Sequence, residues 1–168
     1  MSTKHSKAAE KFLQDSKMAA WHNETLWMVR AKRDKMSKEV PEWEELRNKA
    51  CELKLYSNSH LEELLLEFEK NATANGAIVH WAKDADEYCA IVYEILNSHG
   101  VHRFVKSKSM LAEECELNPF LIERGIDVVE SDLGERILQL MHLPPSHIVL
   151  PAIHIKREQV GELFEKEM

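Results

Sequence analysis

A chain of 168 residues with 44% hydrophobic and 30% charged residues has the composition of an ordinary soluble domain, long enough to bury a core without cross-links. Its net charge of −7 argues against nucleic acid and against an anionic membrane surface, both of which need a basic face; no apolar run approaches the roughly 20 residues that span a bilayer. The scattered thiols Cys51, Cys89 and Cys115 form no C-x-x-C pair, so neither a disulfide framework nor a cysteine zinc site is readable. With no apolar stretch behind the first five residues a signal peptide is not expected, and the cytoplasm is the expected compartment.

Up to residue 75 the pattern is helical. Phe12, Met18, Ala19, His22, Leu26, Val29, Arg33 and Met36 recur at three- and four-residue steps, which predicts one long amphipathic helix. Pro41 suits the first turn of a second helix through Trp43, Leu46, Ala50 and Leu53. Ser59 with Glu62 has the spacing of a capping box for a third helix over 61–74, with Gly76 as its stop. Leu13, Trp21, Trp27 and Met28 lie partly off the main stripe of the first helix. That helix is therefore expected to need a second burial partner, and the isolated chain to sediment as a homodimer or larger species. The tryptophans read as packing anchors.

From Gly76 the pattern alternates. Strands are predicted at 77–81, 103–106, 127–130 and 147–150, separated by helices opened by Asp84, by Ser107 or Ser109, and by Asp132, with a last helix through Val160, Leu163 and Phe164. Strand–helix alternation at this spacing predicts an α/β fold with a mostly parallel sheet. The division expected is a helical extension over 1–58 and an α/β domain over 59–168.

Ligands of open parallel sheets bind beyond the C-terminal strand ends. Lys106-Ser107-Lys108-Ser109 joins a strand end to a helix start, so its hydroxyls and ammonium groups are candidates for binding an anion; a serine cap with solvated lysines is the plainer alternative. Asp132 with Glu135, plus Glu130, reads as a general-base pair, a metal site or a capping box, and the spacing favours the cap. His154 and His80 are candidate catalytic imidazoles or hydrogen-bonded structural ones. There is no HExxH, GxSxG, GxGxxG or Walker loop, so no metal is expected, nor a serine hydrolase of the elbow type.

Several segments, in this order, resemble the LUD domain family of lactate-utilisation iron–sulfur proteins. They are Pro41 to Arg47, Asn75-Gly76-Ala77, Val79 to Ala82, Lys106 to Met110 with Glu113-Glu114, Asn118, Gly125-Ile126, Val129 to Glu135, Gln139-Leu140, and Pro145 to Val149 running into Pro151 to His154. The resemblance implies a Rossmann-like three-layer α/β/α sandwich, similar to the sugar-phosphate isomerase and CoA-transferase group. It also implies a part in oxidising L-lactate to pyruvate, beside other lactate-utilisation subunits. Family members are expected to continue with more of the domain and then a cluster-binding region. This chain is accordingly expected to be an N-terminal part with no cofactor of its own, the iron–sulfur clusters belonging to the full-length family protein. Two roles follow: a docking and binding segment of an electron-transfer complex, or a domain or enzyme acting on phosphate- or carboxylate-bearing small molecules.

Overall fold

The computed structural model describes residues 5–167. The chain divides into two compact units, Arg30–Ala82 and the remainder, Met1–Val29 with Lys83–Met168.

The expected first helix is two helices, α1 (His5–Gln14) and α2 (Ser16–Lys38). Asp15 makes the break: its side chain accepts a hydrogen bond from the Met18 amide at 2.9 Å, so it caps α2. In the 30–82 unit, α3 (Trp43–Ser59) begins two residues after Pro41 and α4 (Leu61–Ala74) follows after His60. The capping box expected at Ser59 is absent. Ser59 still belongs to α3, and its hydroxyl donates backward to the Leu55 carbonyl at 2.8 Å, which leaves it unable to cap forward. Gly76 ends α4 as expected, with φ of 86° and the Ala77 amide donating to the Ala72 carbonyl.

Residues 77–82 form no regular element and pair with no strand among the described residues. A strand exists only through its neighbour's hydrogen bonds, so alternation at this segment does not by itself make one. The segment is held instead by the Trp81 indole N–H, which donates to Glu69 at 2.9 Å.

The second unit carries the α/β pattern. Helix α5 (Ala85–Ser98) starts at Asp84, whose carboxylate accepts from the Glu87 amide. Strand β1 (Arg103–Lys106) leads through α6 (Met110–Glu114) and α7 (Leu117–Ile122) to β2 (Asp127–Glu130), and α8 (Leu133–Met141) and α9 (Arg157–Glu167) complete it. The two strands are parallel, with Arg103 opposite Asp127 and Lys106 opposite Glu130. A parallel pair requires a crossover, and α6 and α7 supply it.

Among the described residues the fold is therefore α/β with a two-stranded parallel sheet, smaller than the four strands predicted. The strand expected at 147–150 is a bend. The His147 ring nitrogen Nδ1 accepts from the amides of both Val149 and Leu150, and that local capture turns the chain out of an extended path. On the other edge, Gln139 of α8 substitutes for a strand. Its side-chain amide donates to the Val128 carbonyl at 2.8 Å, and its oxygen accepts from the Glu130 amide at 3.2 Å.

The core gathers on one face of this ladder. Cys89, Ala112, Leu117, Leu121, Ile126 and Val128 are buried, with Tyr88, Val92, Phe104 and Phe120 packed around them. All come from the 83–138 stretch, where the α5, α6 and α7 stripes face the strands.

Candidate functional site

Alternation along the strands sends every second side chain to the core face, and the series ends in charge on both strands. In β1 that face carries Phe104 and then Lys106; in β2 it carries Val128 and then Glu130. Both terminal residues are buried, with Lys106 9% and Glu130 4% exposed. Being register partners, they meet: Lys106 Nζ lies 2.5 Å from Glu130 Oε1. Charged residues are rarely buried unless paired, and this pair obeys that rule.

Two more carboxyls converge on the pair. Glu113 of α6 lies 3.6 Å from Lys106 Nζ, and Glu135, in the first turn of α8, is 7% exposed. One oxygen each from Glu113, Glu130 and Glu135 lies within 4.8 Å of the others. Asn118 of α7 donates through Nδ2 to Glu130 Oε1 at 2.6 Å. Three acceptor atoms here are buried without a donor: Glu130 Oε2, Glu135 Oε2 and Asn118 Oδ1. The cluster forms part of the wall of a cleft of about 440 Å³, which Pro119, Ile122, Leu138, His142, Leu143 and Pro145 help to line. Its position beyond the C-terminal strand ends is where open parallel sheets bind ligands.

The electrostatics follow from crowding. Burial, then the Glu130 carboxyl beside it, pushes Glu135 up to about 7, against the opposing pull of Lys106. Near neutral pH this carboxyl is partly protonated, the state that suits proton exchange with a bound molecule.

The Lys106–Ser109 segment is divided among different tasks. Lys106 serves the buried cluster. Ser107 is exposed, and the Lys108 ammonium donates to the Ile148 carbonyl. Ser109 is the helix cap, accepting from the Ala112 amide at 3.2 Å, and α6 behind it is five residues long. Asp132 caps α8 by accepting from the Glu135 amide at 3.1 Å. Glu135 does not complete the box; its carboxyl turns into the cluster. His154 stands apart with Ser146, whose hydroxyl lies 2.6 Å from Nδ1, and with the His22 ring, 6.1 Å away between centroids. Burial, and then the neighbouring His22, lowers the His154 imidazole below its usual value. His80 is exposed in the 30–82 unit. Of the residues the sequence singled out, the structure brings Lys106, Glu130 and Glu135 into one cluster. The partners that patterning alone left aside are Glu113 and Asn118, and the available signal was the register of two strands that both end in a charge.

The cysteines do not make a cluster site. Cys89 is buried and donates its S–H to the Cys115 carbonyl at 3.2 Å; burial, then Cys115, pushes its thiol up, opposite to the thiolate a metal ligand must be. Cys51 is exposed on α3, and three thiols are fewer than the four a cubane takes. These residues do not fit an iron–sulfur centre. No helix among the described residues is long and apolar enough to cross a membrane.

Comparison with known proteins adds a family. The LUD domain model matches residues 65–168. Lactate utilization protein B of Bacillus pumilus is 41% identical over 133 residues, covering 79% of this chain and 28% of that protein. Lactate utilization protein B of Shouchella clausii is 37% identical over 161 residues, covering 95% and 34%. The Escherichia coli protein described as an uncharacterized electron transport protein, YkgF, is 36% identical, covering 83% and 30%. The chain thus spans about a third of the length of these curated relatives. No solved structure matches it.

Proposed function

Since the chain belongs to the LUD domain family, we propose that it serves lactate utilisation as the ligand-binding and docking part of a lactate-oxidising electron-transfer assembly, with the iron–sulfur clusters carried outside this chain. The relatives named for lactate utilisation support the process. The observation that carries a binding role is the Lys106–Glu113–Glu130–Glu135 cluster, buried at the strand ends and open to a cleft. A fold gains little stability from so much desolvated charge, so its presence beside a cleft argues for a task. The docking role is supported by α3 and α4, which bury no side chain and expose Leu53, Leu55, Tyr56, Leu66 and Phe68.

The test is genetic and biochemical. Deleting the gene is expected to abolish growth on L-lactate as sole carbon source and spare growth on glucose, and the tagged chain is expected to co-purify with cluster-bearing subunits. Normal growth on lactate without the gene sinks the proposal.

A second reading keeps the same cleft and drops the assembly: a free-standing domain or enzyme for a carboxylate- or phosphate-bearing small molecule. The partly protonated Glu135 favours it, since a carboxyl titrating near neutrality suits general acid–base chemistry. Turnover or tight ligand binding by the isolated chain, with no co-purifying subunit, is its signature.

A further inference from the structure

We propose that Glu113, Glu130, Glu135 and Asn118 bind one hard divalent cation, such as Mg²⁺ or Mn²⁺, in the wall of the cleft. The inference rests on reading this cleft as the binding site and names an occupant for it. The donor geometry is the starting point. One oxygen from each of the three carboxyls lies within 4.8 Å of the others, close to the roughly 4–5 Å between opposite oxygens around a single hard cation.

The second observation is the state of the acceptor atoms, one of which, on Asn118, is not acidic. Glu130 and Glu135, 4% and 7% exposed, each keep one oxygen, Oε2, that no donor reaches, and Asn118 keeps Oδ1 in the same state. Asn118 is fixed in that orientation because its Nδ2 is committed to Glu130 Oε1 at 2.6 Å. Buried acceptors without donors are uncommon in native proteins and mark a missing ion or water. A proton shared between Glu130 and Glu135 serves one oxygen of each and still leaves Asn118 Oδ1 orphaned. A cation has enough coordination positions for all of them, and the cleft admits water for the rest.

Charge and donor type narrow the ion. With Glu135 ionised as a ligand, three carboxylates against one ammonium leave two negative charges, which a divalent ion balances. Lys106 holds Glu130 through Oε1, 2.5 Å from Nζ, so Oε2 lies outside that ion pair. With no thiolate and no imidazole among the four donors, the set selects a hard ion over zinc or copper.

The test is a Mn²⁺ titration of the full chain, followed by electron paramagnetic resonance of free Mn²⁺ with Mg²⁺ as competitor. The native chain is expected to bind one Mn²⁺ saturably. Glu113→Gln, at the half-exposed edge of the cluster, is expected to weaken binding at least tenfold, and Glu113→Gln/Glu135→Gln to abolish it. Asp127→Asn, a surface carboxyl on the same sheet, leaves binding unchanged. Circular dichroism verifies that each variant is folded. Binding by the native chain no tighter than by the double variant overturns the proposal, as does equal loss in Asp127→Asn. The lactate-growth test is separate, so a cleft needed for growth that binds no Mn²⁺ refutes the cation and leaves the binding role standing.

Discussion

The 30–82 unit and the α/β unit are written in the same alphabet of amphipathic helices, yet they use it oppositely. In α3 and α4 no residue is buried, and Leu46, Leu53, Leu61, Leu66 and Phe68 all face outward. Their helices stand on local terms, including Arg47 on Glu44 at 2.7 Å and Lys49 on Glu45 at 2.6 Å. Between residues 83 and 168 the same periodicity closes a core around Leu117 and Leu121. Periodicity fixes which face of a helix is apolar; what covers that face is a separate, tertiary matter. The sheet repeats the contrast in miniature. Arg103 and Asp127, paired at one end of the ladder at 2.6 Å, are exposed and contribute little. Lys106 and Glu130, paired at the other end, are buried, and there the charge is consequential.

The sharpest way to break this comparison is to remove one charge from each end. Lys106→Met strands Glu130 and is expected to destabilise the fold by about 4 kcal/mol, whereas Arg103→Met is expected to change stability by less than about 1 kcal/mol. Chemical denaturation measures both, and equal effects contradict the distinction. Next in size is packing. Leu121→Ala removes a side chain with no exposed surface and is expected to lose about 3 kcal/mol; Leu53→Ala on α3, 67% exposed, is expected to lose no more than about 0.5 kcal/mol.

Acidity offers a third handle on the same cluster. The folded chain holds Glu135 at about 7 against an ordinary value of 4.5, so between these values it binds more protons than the unfolded chain. Its contribution is complete below pH 4.5 and fades as pH rises through 7. The total is at most about 3 kcal/mol at 1.36 kcal/mol per unit. Glu135→Gln should flatten this part of the stability–pH curve, and an unchanged slope contradicts the assignment. The smallest effect concerns the helical unit. Leu53→Glu is expected to leave the helix content alone while reducing self-association or subunit capture, read by sedimentation; unchanged assembly argues that this face does not dock.

Much of this was legible in the residues. Both strands of the sheet run over the residues that patterning predicted, because Phe104 and Val128 alternate with outward neighbours. The caps at Asp84, Ser109 and Asp132 are local chemistry, so spacing found them. Non-local facts were out of reach. Residues 77–81 and 147–150 have strand-like composition, but a strand also needs a neighbour, and at His147 a ring nitrogen competes for the backbone. The acidic turn was legible as a cap through Asp132, while the role of Glu135 depends on Glu130 and Lys106, brought together only by strand pairing.

One measurement separates a site from a strut. In Lys106→Met/Glu130→Met the buried pair is replaced by apolar side chains of similar size, which is expected to leave the fold as stable as before or more so. Complementation of the deletion strain with this folded variant is predicted to fail on L-lactate and succeed on glucose. Full growth on lactate, from a chain that has lost the charges and kept its structure, would show that the cluster binds nothing the function needs.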